Sequence, residues 1–179
     1  MFVESRPQSN KRLERTRLEW SLFVVAWASR SSAAFGAPFK NSDMSSTIET
    51  EGTICVGEEI TIASDSPITK YAVVFEDDGE TGYFYALDTS QEKSPILDAL
   101  HIYNVGNVVD KNKPSLVQIV WSNDGLKTAL WINDYPHAVF DFAAKRGYCR
   151  TNFPEFRSSG EEWSSFSKEW SDTALELFL

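Results

Sequence analysis

The stretch YAVVFEDDGETGYFYALD, Tyr71–Asp88, contains the clearest structural signal of the sequence. Two runs rich in aromatic and β-branched residues flank an Asp-Gly pair, which is the strongest short signal for a β-hairpin. A two-residue type I′ turn at Asp78-Gly79 predicts a register in which Asp77 lies opposite Glu80. The same register gives the hairpin one apolar face and one mixed face.

A second Asp-Gly pair, Asp124-Gly125, joins the runs LVQIVWS (116–122) and LKTALWIND (126–134). The same turn predicts an almost wholly apolar face, shared by Val117, Ile119, Trp121, Thr128, Leu130 and Ile132. Further strands are predicted in GEEITIAS (57–64) and in HAVFDF (137–142), the latter after a Tyr-Pro turn.

Two helices are predicted. Ser94-Pro95 before ILDALHIYN is typical of an N-cap followed by proline at the first helical position. Ser159 and Glu162 match a capping box. The apolar stripe beyond it consists of Trp163, Phe166, Trp170, Ala174 and Leu177, with a possible restart at Asp172. The predicted fold class is therefore α+β: a mostly antiparallel sheet of two Asp-Gly hairpins, with a short middle helix and a C-terminal helix packed on one face.

The mixed hairpin faces carry Tyr83, Tyr85 and Trp131. Tyr and Trp often anchor protein interfaces, so these faces are candidates for a binding surface. The alternative is that loops and helices cover the sheet on both faces. It is favoured because large aromatic side chains are mostly buried in folded proteins.

The acidic turn places four carboxylates around one glycine, at Glu76, Asp77, Asp78 and Glu80. The spacing lacks the calcium-loop pattern, so a plain turn is favoured over a metal site. If the turn has a function, we expect it to present charge to a basic partner.

The chain has 179 residues and a net charge of −9, which is unevenly distributed. Residues 1–43 hold seven Lys/Arg and four Asp/Glu, whereas residues 44–179 hold ten and twenty-two. Such an acidic body repels nucleic-acid phosphates and anionic membranes, so neither is expected as a partner. A basic protein suits the charge, although solubility alone also explains it.

Candidate catalytic groups are few. His137 stands near Asp134 and could act as a general base if the fold aims it into a pocket. Basic neighbours of Cys149 could lower the pKa of its thiol. The sequence lacks HExxH, CxxC, GxSxG and phosphate-loop motifs, so no metal and no cofactor is expected.

Residues 1–43 do not resemble the rest of the chain. They can be read as a poor signal peptide, with a short apolar run from Leu22 to Ala28 and acidic Glu14 and Glu19 before it. They fit better as translated non-coding sequence upstream of a true start at Met44. The prediction is one domain over residues 44–179 in the cytoplasm, secreted only if residues 1–43 are a genuine signal peptide.

Four segments carry a resemblance to a known family: YAVVFEDDGETGYFYALD, ILDALHIYNV, VQIVWSNDGLKTALWINDYPHAVFDF and RGYCRTNFP, with the tail EEWSSFSKEWSDTALELF. They resemble a bacterial family of uncharacterised proteins, domain of unknown function 2251, over residues 52–179. The resemblance implies no activity and no catalytic residue.

The favoured hypothesis is a small, soluble, non-enzymatic protein-binding module with an acidic, aromatic surface. Its predicted partner-binding residues are Glu76, Asp77, Asp78, Glu80, Tyr83, Tyr85 and Trp131. A gene-cassette setting would be compatible with an immunity or antitoxin role, by analogy only. The alternative is a small enzyme or small-ligand-binding domain that uses His137, Asp134 and Cys149.

Overall fold

The computed structural model describes residues 46–92, 95–151, 163, 168–176 and 178, with side chains from residue 50 onward. The unit discussed below comprises Asn41–Ser90 and Pro95–Leu179. The predicted leader, residues 1–43, lies outside the described residues, so its exclusion from the domain stays a prediction.

The described residues form nine β-strands in two antiparallel sheets. The strands are β1 Ser46–Ile54, β2 Ile60–Asp65, β3 Tyr71–Asp77, β4 Thr81–Asp88, β5 Ile96–Asn104, β6 Ser115–Ser122, β7 Lys127–Ile132, β8 Tyr135–Asp141 and β9 Arg146–Cys149. One sheet has the order β1-β6-β7-β8-β9 and the other the order β2-β3-β4-β5. A 3₁₀ turn, Val105–Asn107, follows β5, and a four-residue helix α1, Thr173–Glu176, lies near the C-terminus.

The two sheets share one hydrophobic core. Alternate residues of each strand point to one face, so a strand with an apolar residue at every second position can bury that face. The buried set includes Val73, Phe75, Phe84, Leu100, Ile102, Val117, Ile119, Trp121, Leu130 and Phe140. The Phe84 and Phe140 rings stack across the two sheets with centroids 5.2 Å apart. The apolar faces predicted for both hairpins are those that form this core.

The α+β prediction is wrong, because the predicted middle helix is strand β5. Leu100 and Ile102 are almost fully buried, and Leu100 pairs with Phe84 on β4. Ala99, His101 and Tyr103, which alternate with them in the sequence, are less buried, as the two-residue period of a strand requires. Pairing along β4 therefore overrides the local signal of Ser94-Pro95, of which Ser94 lies outside the described residues.

The predicted C-terminal helix is also wrong as a continuous element. Glu169 forms a parallel bridge with Cys149 on β9, so this part of the segment is extended. Among the described residues of this segment, Trp163 has a 3₁₀ conformation and α1 is the α-helical part. Helix α1 begins directly after Asp172, where a restart was predicted. Phe166 and Leu177 of the predicted stripe lie outside the described residues.

The C-terminal segment covers the outer face of the five-stranded sheet. Ala174 and Phe178 form a second buried cluster with Val120, Ala129 and Val139 of that face. Trp131, on the same face, is half-buried and packs against this cluster. The mixed face of the second hairpin is thus largely covered, as expected if both faces of the sheet are covered.

The register of the second hairpin is as predicted, with Val117 opposite Ile132 and Trp121 opposite Thr128. The turn differs from type I′, since Gly125 has a φ of 65° whereas Asp124 is not in the left-handed region. A bond from the Gly125 N–H to the Ser122 carbonyl closes it.

The register of the first hairpin differs from the prediction by two residues. Asp77 pairs with Gly82, and the two central turn residues are Gly79 and Glu80. The predicted pairing would have set Asp77 against Glu80, and like charges directly opposite each other destabilise a hairpin. Because the shift is an even number of residues, each side chain keeps its predicted face.

The prediction of a turn at Tyr135-Pro136 is wrong as well. Tyr135 and Pro136 lie within β8, and the turn before them consists of Asn133 and Asp134. Both have positive φ, 52° and 60°, as a type I′ turn requires. Asn and Asp tolerate this conformation better than other non-glycine residues.

Candidate functional site

Several turns that carry carboxylates lie at one end of the sandwich. The registers place there the β1–β2 turn, the β3–β4 turn, the β5–β6 loop and the β7–β8 turn. In one sheet Ile60 pairs with Asp77 and Thr81 with Asn104. In the other sheet Ile54 pairs with Ser115 and Val117 with Ile132. We define the acidic end as Glu58, Glu59, Asp78, Glu80, Asp110 and Asp134, of which all but Asp78 are exposed. Lys113 pairs with Asp110 at 3.2 Å, and Lys111 is the other lysine of this loop.

Asp77 is a structural residue at the centre of the acidic end. Its carboxylate is only 1% exposed. It accepts hydrogen bonds from the Gly57 N–H at 2.7 Å, the Tyr103 hydroxyl at 2.8 Å and the Gly79 N–H at 2.9 Å. The β1–β2 turn, β5 and the β3–β4 turn are therefore joined through one side chain. Asp77 is not available to a partner.

Asp78 shapes the β3–β4 turn. Its Oδ1 accepts hydrogen bonds from the backbone N–H groups of Glu80 and Thr81, at 3.0 and 2.8 Å. The Thr81 hydroxyl lies 3.1 Å from both carboxylate oxygens. Short Asp side chains commonly satisfy turn donors in this way. Of the four predicted acidic residues, Glu80 is the exposed one at this tip.

The remaining predicted binding residues fall on two different sheets. On the outer face of the four-stranded sheet, the Tyr85 hydroxyl donates to Glu76 at 3.1 Å, and burial raises the pKa of Tyr85. Tyr83 stacks between Tyr85 and His101, with centroid distances of 5.8 and 4.8 Å. Trp131 is on the five-stranded sheet. The structure therefore does not bring the predicted set together as one patch.

The predicted catalytic residues do not converge. Cys149 lies opposite Ala138 on β8, and both belong to the core between the sheets. His137 is the extra residue of a register shift between β7 and β8, and its ring meets the exposed Tyr135 ring edge-on at 5.5 Å. Asp134 is exposed in the β7–β8 turn. In the part of the chain that the structure describes, the thiol in the core and the exposed carboxylate in the turn therefore do not share one site.

Burial moves the pKa values of both titratable candidates away from neutral pH. Burial raises the pKa of the Cys149 thiol, which contacts Thr151 Oγ1 at 3.0 Å. The predicted lowering of this pKa by basic neighbours is outweighed by desolvation. Burial, with the nearby Arg150 charge, lowers the pKa of His137 to about 4. A base of that strength accepts protons weakly at neutral pH.

No group of three or more His, Cys, Asp or Glu residues is arranged to hold a metal ion within the part of the chain that the structure describes. Over the same residues, no helix has the length and apolar character to cross a membrane.

Sequence reasoning missed Glu58 and Glu59 as part of the acidic end. They stand in the sequence directly before β2, and only the antiparallel pairing of β2 with β3 reveals that they neighbour the β3–β4 turn. Gly79 illustrates the closeness: a side chain there would lie 3.8 Å from Glu59 Cγ. A gap of twenty residues hides this contact from any local pattern.

Comparison with known proteins gives one family and one relative. A family model described as "Uncharacterized protein conserved in bacteria (DUF2251)" matches residues 54–179. An uncharacterised protein of Haemophilus influenzae (strain ATCC 51907 / DSM 11121 / KW20 / Rd) is 51% identical over 85 residues, which are 48% of this chain and 53% of that protein. The match thus spans about half the length of the relative. No solved structure matches the chain.

Proposed function

We propose that this chain, which belongs to the DUF2251 family of uncharacterised bacterial proteins, is a non-enzymatic module that binds a basic protein through its acidic end. The observation that carries the proposal is the gathering of exposed carboxylates from separate turns around the buried Asp77. Exposed Glu58 and Glu59 come from one turn and Glu80 from another.

Rigidity supports this function. Asp77 ties two of these turns and Tyr103 together by three hydrogen bonds of 2.7 to 2.9 Å. A surface that is already ordered loses little conformational entropy when it binds, so more of the interaction energy appears as affinity. Turns held by side-chain bonds can thus present charge in a fixed arrangement.

Charge supports the chemistry of the partner. Complementary charges raise association rates and exclude partners of the wrong sign. The chain carries a net charge of −9, and the acidic end concentrates that sign on one surface. Both cysteines, Cys55 and Cys149, are unbridged, which supports a reducing compartment such as the cytoplasm.

The test compares two charge-matched variants of the full chain. The first, Glu58→Gln/Glu59→Gln/Glu80→Gln, removes three carboxylates of the acidic end. The control, Glu51→Gln/Asp65→Asn/Glu176→Gln, removes three exposed carboxylates elsewhere. A basic protein captured by the wild-type chain from its bacterial host is identified, purified and titrated against all three proteins.

We expect the acidic-end variant to lose about tenfold or more in affinity, and the wild-type affinity to fall with added salt. The control variant should bind nearly as well as the wild type. Equal losses in both variants would show that net charge, and not this surface, attracts the partner, which would contradict the proposal. Wild-type affinity in the acidic-end variant would contradict it as well.

A further inference from the structure

Beside the β7–β8 turn, the structure holds two aromatic rings around one guanidinium. Arg150 Cζ lies 4.6 Å from the centroid of the Tyr135 ring and 4.0 Å from the centroid of the Trp170 ring. Arg150 Nε donates to the Pro136 carbonyl at 2.7 Å. We refer to Tyr135, Arg150 and Trp170 as the aromatic ledge.

The ledge is rigid. The Trp170 indole N–H donates to Asp172 Oδ1 at 2.9 Å, and the same oxygen lies 3.8 Å from Arg150. His137 meets the Tyr135 ring edge-on at 5.5 Å. Both rings are therefore fixed on more than one side, as expected of aromatic residues that anchor an interface.

Tyr135 is nevertheless 51% exposed, one of three large apolar side chains that the described residues leave exposed. Arg150 lies over the Tyr135 ring and His137 meets it at a right angle, so the exposed surface is the part of the side chain that these two contacts leave uncovered. An aromatic ring that is held in place and half exposed offers a surface on which a planar group can pack.

The charges around this open ring favour a cation. Three exposed carboxylates lie within two residues of a ledge residue in the sequence: Asp134, Glu169 and Asp172. Among the described residues, Arg150 is the cation that contacts the Tyr135 ring. Asp172 offsets the Arg150 charge from 3.8 Å. The exposed carboxylates around the ledge outnumber this cation, which favours a cationic group over an anionic one at the ring.

We infer that the aromatic ledge binds an arginine side chain of the partner, packed on the exposed part of the Tyr135 ring and flanked by Asp134. This inference rests on the proposed function and names one contact of the same interaction. A guanidinium is planar, stacks on aromatic rings and is weakly hydrated, so it suits this site better than the compact ammonium of lysine.

The test uses the peptide acetyl-Gly-Arg-Gly-amide as the probe and acetyl-Gly-Gln-Gly-amide as its control. Each is titrated into the full chain while ¹H–¹⁵N resonances of the Tyr135 and Arg150 amides and the Trp170 indole are followed. We expect saturable shifts with the arginine peptide, with a dissociation constant on the order of ten millimolar. The glutamine peptide should leave these resonances in place.

Two variants separate ring stacking from simple apolar contact. Tyr135→Phe keeps the aromatic face and should bind the arginine peptide like the wild type. Tyr135→Leu keeps an apolar side chain without a ring and should weaken binding about threefold or more. Their resonances elsewhere in the sheet report that each variant is folded.

Absence of shifts with the arginine peptide, equal shifts with the glutamine peptide, or undiminished binding by Tyr135→Leu would each overturn the inference. The proposed function is tested apart from it, since Glu58, Glu59 and Glu80 are not members of the ledge. If the acidic-end variant loses the partner while the arginine peptide does not bind, the ledge is excluded and the acidic end stands.

Discussion

At the scale of single residues, Asp77 shows how a sequence motif changes meaning in the fold. Within EDDGET it is one of four similar carboxylates, and its local surroundings suggest an exposed tip. In the structure it is buried and fully used by donors from Gly57, Gly79 and Tyr103. Two of these donors are twenty or more residues away in the chain. No local pattern could therefore have distinguished the buried role of Asp77 from the exposed position of Glu80.

Asp77→Asn is expected to destabilise the protein strongly. The asparagine side chain keeps one acceptor oxygen but turns an NH₂ group toward N–H and O–H donors, so hydrogen bonds are lost in a buried place. We expect a loss of about 2–4 kcal/mol in the free energy of unfolding, measured by urea denaturation. Glu59→Gln, on the exposed surface of the same end, is the control and should change stability by less than about 0.5 kcal/mol. A loss for Asp77→Asn no larger than that of the control would contradict the structural role.

At the scale of elements, the hairpins were predictable and β5 was not. The apolar alternation around both Asp-Gly pairs gave the core faces of β3, β4, β6 and β7, because a strand's period of two residues is visible locally. In ILDALHIYN the apolar residues fit a helical stripe as well as a strand, and Ser94-Pro95 tips the local preference toward a helix. The deciding contribution is pairing with β4, which is a tertiary effect.

The strand β5 makes a prediction that a helix would not. In a helix Leu97 and Leu100, three residues apart, would share one buried face. In β5, Leu97 is the extra residue of a register shift against β4 and is only partly buried against the core that contains Leu100. Leu100 is 1% exposed and Leu97 is half-buried. Leu100→Ala should therefore cost about 3–5 kcal/mol in unfolding free energy, and Leu97→Ala clearly less. Urea denaturation of the two single variants measures both, and equal losses would be evidence against the strand.

At the scale of the whole molecule, closure of the sandwich depends on contacts far apart in sequence. Strand β1 pairs with β6, with Ser46 opposite Ser122, and this partnership could not be predicted from either segment. The acidic end follows from this topology, because it needs turns of both sheets on one side. The charge asymmetry of residues 44–179 was visible in the sequence, but its location on one surface was not.

Lys168 ties the C-terminal segment to the edges of both sheets, to one by a buried ion pair and to the other by a backbone hydrogen bond. Lys168 Nζ contacts Asp98 Oδ1 on β5 and donates to the Ala99 carbonyl at 3.0 Å. The Lys168 carbonyl accepts from the Cys149 N–H of β9 at 2.9 Å. The two charged side chains are only 12% and 7% exposed. One residue thus links the segment to an edge strand of each sheet.

Lys168→Met should therefore be strongly destabilising, because it leaves the Asp98 carboxylate buried without its cation. Breaking one side of a buried pair costs about 3–5 kcal/mol, whereas replacing both charges by neutral groups is often close to neutral. We expect the double variant Lys168→Met/Asp98→Asn to recover most of the stability that the single variant loses in urea denaturation. A double variant as unstable as Lys168→Met alone would mean that Lys168 acts through its aliphatic packing. The coupling free energy between the two positions therefore measures how much this ion pair contributes to holding the C-terminal segment against the sandwich. The apolar contacts of α1 account for the remainder.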